Sequence, residues 1–181
     1  ALKVLNTILK NPNLIRHGLA AGVCMKALAK RLGQDENKWE IVGFLHDADY
    51  EATKDRPDEH GLILADQARA LVGEIPEDIL EAVKFHNKDN IPAKESLMGW
   101  GIYCCDELTG IIVACALVRP DKKLASVEVN SVLKKLPIRA FAAGAIREQI
   151  YLCEEKLGIP LPEFVEICLE AMKKIASEFG L

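Results

Sequence analysis

The chain has 181 residues, half of them apolar and 28% charged, which suits one domain with a substantial buried core. A net charge of −4 argues against general nucleic-acid binding, and an aromatic share of 6% argues against a stacking platform for single strands.

The apolar spacing is helical almost throughout. Leu2–Lys10 reads as a first helix, stopped by Asn11-Pro12. Asn13 is the expected cap of a second helix that runs to Leu32 and closes at Gly33. Its apolar positions Leu14, Leu19, Val23, Leu28 and Leu32 recur as a buried face requires. Trp39–Leu45 is the third helix and ends at His46-Asp47. Tyr50–Pro57 is polar and reads as a loop. Asp58 is the expected cap of a fourth helix to Val72, ended by Gly73. Pro76 opens a fifth, which runs to about His86. After a second loop, Asn87–Ala93, one long helix covers Lys94–Val118. A short helix over Asn130–Leu136 follows, then two longer ones, Arg139–Leu157 and Pro162–Phe179. The expected fold class is an all-α bundle, read as one domain over 1–181.

The cysteines Cys24, Cys104, Cys105, Cys115, Cys153 and Cys168 form no C-x-x-C pair and lie in apolar stretches. They are expected to be reduced core thiols of a cytoplasmic protein. No signal-peptide pattern opens the chain, and the apolar run Leu108–Val118 is short for a bilayer span, so no membrane partner is expected.

Chemistry concentrates in a few positions. The four histidines, His17, His46, His60 and His86, all lie in or at the ends of expected helices beside apolar residues. One such histidine is ordinarily a packed core residue; four in that setting suggest ligands. His46-Asp47 pairs an imidazole with a carboxylate at a helix end, where both can turn toward one ion. Asp106 sits in an apolar helix, and an ionised carboxylate there needs a partner. A metal ion fits, as does a hydrogen bond from Tyr103, Thr109 or a distant arginine. Mixed nitrogen and oxygen ligands suit Fe, Mn, Zn, Ni or Co better than Mg.

The order His17, His46-Asp47, His60, His86, Asp106 resembles the HD superfamily of metal-dependent phosphohydrolases. The local strings Leu14-Ile15-Arg16-His17, Gly43-Phe44-Leu45-His46-Asp47, Glu59-His60-Gly61, Lys84-Phe85-His86-Asn87 and Asp106-Glu107-Leu108-Thr109-Gly110 carry the likeness over about residues 12–118. It implies an HD-type helical bundle over that core, with 119–181 as a helical extension. It also implies a first divalent metal on His17, His46, Asp47 and Asp106. His60 and His86 would hold a second ion bridged by Asp47, or face the substrate. Asp47 would be the catalytic carboxylate. Ala48-Asp49-Tyr50 stands where the HDIG subgroup has Ile-Gly-Lys, and Gly73-Glu74-Ile75-Pro76 lacks the tyrosine of the cyclic-dinucleotide enzymes.

The implied function is metal-assisted hydrolysis of a phosphomonoester or phosphodiester of a nucleotide or other small phosphorylated metabolite. A di-iron oxygenase of the HD type and a non-catalytic sensing or scaffold domain are the alternatives. Lys134 and Arg147 are the expected cationic contacts to a substrate phosphate. The substrate, the native metal and the oligomeric state are not legible in the residues.

Overall fold

Asn11 opens the second helix with its side-chain oxygen, which accepts the Asn13 N–H at 2.9 Å. Pro12 fills the first helical position, and Gly33 closes the helix at φ 65°. The cap is therefore Asn11 and not Asn13: a proline, having no N–H to give, belongs at the first position behind a cap. The structure is a computed structural model that describes residues 2–181. It is helical, and no strand occurs among those residues.

In chain order the helices are α1 (Leu2–Ile8), α2 (Pro12–Leu32), α3 (Glu36–Leu45), α4 (Tyr50–Thr53), α5 (Leu64–Val72), α6 (Glu77–His86), α7 (Leu97–Leu117), α8 (Val129–Lys135), α9 (Arg147–Tyr151), α10 (Cys153–Leu157), α11 (Leu161–Lys173) and α12 (Ala176–Phe179). Several bounds differ from expectation. Asp35 caps α3 through the Asn37 and Lys38 N–H groups, so that helix begins ahead of Trp39. Tyr50–Thr53 is a short helix and not loop. Residues 54–63 form turns, so α5 starts after Asp58. Arg139–Leu157 is not one helix: turns fill 139–144, and α9 and α10 follow.

The axis of the fold is α7, which packs against α2, α3, α6, α8, α9, α10 and α11. At 21 residues it is long and apolar enough to cross a membrane, unlike the shorter run seen in the sequence. Two thirds of its apolar window is nevertheless buried inside the protein, so here it is the core helix. All six cysteines are free and buried, as expected.

Two features place the functional residues. First, α2 and α3 touch backbone to backbone. A Cβ added at Gly43 would stand 2.5 Å from the Gly22 nitrogen and 2.6 Å from the Ala21 carbonyl. Only glycine permits that approach, and it brings the end of α3 beside the first half of α2. Second, one guanidinium organises the turns before α9. Arg147 is 6% exposed and donates to the carbonyl oxygens of Leu136 (2.9 Å), Ala145 (2.6 Å), Ala142 (3.2 Å), Ile138 (3.3 Å) and Phe141. A loop with few backbone bonds of its own has its buried carbonyls satisfied by one side chain.

Candidate metal centre

His17 projects from α2, His46 and Asp47 from the end of α3, His60 from the turns before α5, His86 from the last residue of α6, and Asp106 from the middle of α7. All six meet at one place, in two groups whose ligand atoms lie within 4.8 Å of one another: His17, His46 and Asp106; and Asp47, His60 and His86. In the first, His17 Nε2 is 2.8 Å from Asp106 Oδ1 and 3.1 Å from His46 Nε2, and His46 Nε2 is 3.3 Å from Asp106 Oδ1. In the second, Asp47 Oδ1 is 3.1 Å from His60 Nε2 and 3.6 Å from His86 Nε2, and those two nitrogens are 2.8 Å apart. Asp47 straddles the pair. Its other oxygen, Oδ2, lies 3.5 Å from His17 Nε2 and 3.8 Å from His46 Nε2.

The surrounding shell fixes which ring nitrogen faces inward. His46 Nδ1 donates to the Gly43 carbonyl (2.8 Å) and His86 Nδ1 to that of Val83, and a carbonyl can only accept. His60 Nδ1 donates to the Asp49 carboxylate (2.8 Å), which also accepts the Gly61 N–H (2.9 Å). Thr109 gives its hydroxyl hydrogen to the Asp106 carbonyl (2.8 Å) and so accepts from His17 Nδ1 (3.2 Å). All four Nε2 atoms therefore face inward beside two carboxylates, each with a lone pair when its imidazole is neutral. Imidazole lone pairs 2.8 and 3.1 Å apart repel unless a cation lies between them or a proton sits on one. This donor set fits divalent ions, and the hydrogen-bonded outer nitrogens are the usual companions of metal-ligating histidine.

The charges agree. Burial opposes charge on His17, but the Asp106 and Asp47 carboxylates outweigh it and push the imidazole up to about 9. Burial likewise opposes charge on His60, yet Asp47 and Asp49 push it up to about 9. His46, wholly buried, is raised by Asp47 and Asp106. Burial would raise Asp47 and Asp106, but the imidazoles hold both well below the usual carboxylate range. The centre attracts positive charge, as protons or as metal.

Above it lies a cavity of about 680 Å³, lined by five of the six residues and by Tyr50, Asn87, Asp89, Glu107, the loop Ala142–Ile146 and Gln149. Burial and the neighbouring Asp106 push Glu107 up to about 7. His46 lies beneath this surface, fully buried.

The HD domain family matches residues 14–129. This chain is an HD-domain protein. The HD domain marks a superfamily of metal-dependent hydrolases, and the paired triads provide for metal here. The match extends beyond α7 to the start of α8. No curated protein and no solved structure matches the chain.

Two residues expected to contact a phosphate lie outside the cavity lining. Arg147 is absent from that lining and gives its guanidinium to loop carbonyls. Lys134 is exposed on α8, outside the lining. Thr109, expected as a partner of the Asp106 side chain, instead bridges the Asp106 carbonyl and His17. Sequence reading missed Asp49, Glu107 and Gln149. Asp49 had a signal, since it lies two residues from an expected ligand. Gln149 had none.

Proposed function

We propose that this HD-domain protein hydrolyses a phosphate ester of a small metabolite, using two divalent ions. The observation that carries the reading is Asp47, whose two oxygens serve the two triads separately at the floor of an open cavity. His17, His46, Asp106 and Asp47 Oδ2 would hold one ion. His60, His86 and Asp47 Oδ1 would hold the other. Divalent ions there would polarise a phosphoryl oxygen and bring the pKa of an attacking water toward neutrality. Asp47 holds the two ligand sets in register and orients that water as its acceptor. Asp49 and Thr109 keep His60 and His17 in the tautomer that ligates, and the loop Ala142–Ile146 closes one side of the cavity around the substrate.

The test is a screen of phosphomonoesters and phosphodiesters with protein loaded in turn with Mn, Fe, Co, Ni and Zn. Turnover that disappears in chelator and in Asp47→Ala is the expected result. Stoichiometric metal with no hydrolysis of any phosphate ester would refute the reading.

The donor set supports a second reading. Each triad is two histidines and one carboxylate, a set that also suits non-haem iron in oxygenases. Oxygen consumption by the iron-loaded protein, with no phosphate release, would select it.

A further inference from the structure

The cavity above the two triads is lined by no lysine and no arginine among the described residues. Cations in neighbouring segments are engaged elsewhere. Lys88 pairs with Asp89 (2.9 Å) and lies over the Tyr103 ring (4.3 Å to its centre), and Arg139 pairs with Glu148 (2.8 Å). Arg147 is committed to the loop. Beyond the triads, the acidic groups on the cavity walls are Glu107 and Asp89. The same lining contains Gln149, which is 8% exposed and whose side-chain amide is not among the buried polar atoms cut off from solvent, so it opens onto the cavity.

We propose that the substrate carries a single phosphoryl group, that its alcohol part is polar without further negative charge, and that Gln149 and Glu107 hold this alcohol part. The proposal rests on the phosphoesterase reading and narrows it. One phosphoryl group can meet the positive charge that the two triads are built to gather. A second anion elsewhere on the molecule would face Glu107, or an Asp89 whose one cation, Lys88, is already paired to it, with no free protein cation on the walls to answer it, and like charges facing each other are a strong element of rejection. Gln149 makes the complementary argument. A carboxamide has two donor hydrogens and an acceptor oxygen, and a ligand that displaces water from them without pairing them incurs a cost. A hydroxyl satisfies both walls: it accepts from the Gln149 amide and donates to Glu107. An amine can donate to the Gln149 oxygen and to Glu107. The small side chains of Ala142, Ala143, Gly144 and Ala145 leave room for such a group beside Gln149.

The experiment is calorimetric titration at about pH 8, where Glu107 is ionised, of the metal-loaded protein with inorganic phosphate, glycerol 3-phosphate and 3-phosphoglycerate, with metal content measured before and after. The two esters differ only in a hydroxymethyl group against a carboxylate. Glycerol 3-phosphate should bind about tenfold more tightly than 3-phosphoglycerate. Glu107→Gln should shrink that gap to about twofold. Gln149→Leu should weaken glycerol 3-phosphate about tenfold, while inorganic phosphate and metal content stay unchanged. Equal or tighter binding of 3-phosphoglycerate to the unaltered protein would overturn the proposal. So would a Gln149→Leu variant that loses inorganic phosphate as strongly as the ester, since that marks a structural effect. A metal-loaded protein that ignores all three probes, inorganic phosphate included, would remove the phosphoesterase reading and this proposal together. Phosphate binding with the ester order reversed would remove the proposal alone.

Discussion

His17, His46 and Asp106 stand on or at the end of three helices that pack against one another, two of them through the Gly22–Gly43 backbone approach. His60 and His86 stand where a run of turns meets the end of a helix. They are aligned by hydrogen bonds: Asp49 to His60 and to the Gly61 N–H, and Asn87 to the carbonyls of His60 and Pro57. The first triad is thus a by-product of core packing, while the second is assembled from polar contacts between loops. Packing persists when an ion leaves; loop contacts of that kind are the first to open. The first site should therefore be the preformed, tighter one.

The largest effect should come from the residue that belongs to both. Asp47→Ala should take metal content from two ions toward none and abolish turnover, with helix content retained by circular dichroism. Asp106→Ala and His17→Ala come next. Each should empty the first site and lose activity with it, again with the helices intact. Global unfolding on either change would show that these residues serve the core and not an ion. His60→Ala or His86→Ala should halve the bound metal, leave the first ion in place and reduce turnover. If either variant emptied both sites, the contrast between a packed and a loop-built site would be wrong. Smaller still are changes to the supporting shell. Asp49→Asn should weaken the second site, and Thr109→Val the first, each by about 10- to 100-fold in metal affinity. Metal competition measured on the two variants should show opposite sites affected.

The smallest effect is that of pH on the metal-free protein. His17 and His60 are raised from 6.5 to about 9, so they bind protons more tightly folded than unfolded. The stability this contributes is fully present below about 6.5 and is lost as pH rises through about 9. Thermal melts of the metal-free protein should fall across that window. Metal must displace those protons, so affinity for it should rise over the same window. A flat metal-binding profile would contradict the protonated state described for the empty centre.

The legible part of the molecule follows from two periodicities and one ordered set. Buried helix faces repeat along α2 and α7, and the six ligands recur in a fixed order, so helical class and metal centre could both be read. What escaped was non-local. Residues 139–146 fit a helical pattern, yet they turn, because a guanidinium eleven residues beyond Leu136 gathers their carbonyls. Asp58 looks like a cap, but the chain keeps turning to Ile63 so that His60 can reach Asp47 and Asp49. Gly61, at φ 88°, supplies the left-handed backbone that this detour needs. Arg147 resembled a phosphate contact because a cation near an expected metal site invites that reading; its burial was not visible in composition.

Arg147 grips its loop through main-chain oxygens, which every amino acid possesses, and through none of the loop's side chains. The shape of that wall is consequently independent of most of the letters written on it. Ala143 and Gly144, exposed at the tip and free of that grip, can be exchanged without unmooring the loop or disturbing any ligand. The chain thus separates an anchored frame from an interchangeable surface, and a library confined to these two positions offers a route to altered substrate preference around an unchanged metal centre.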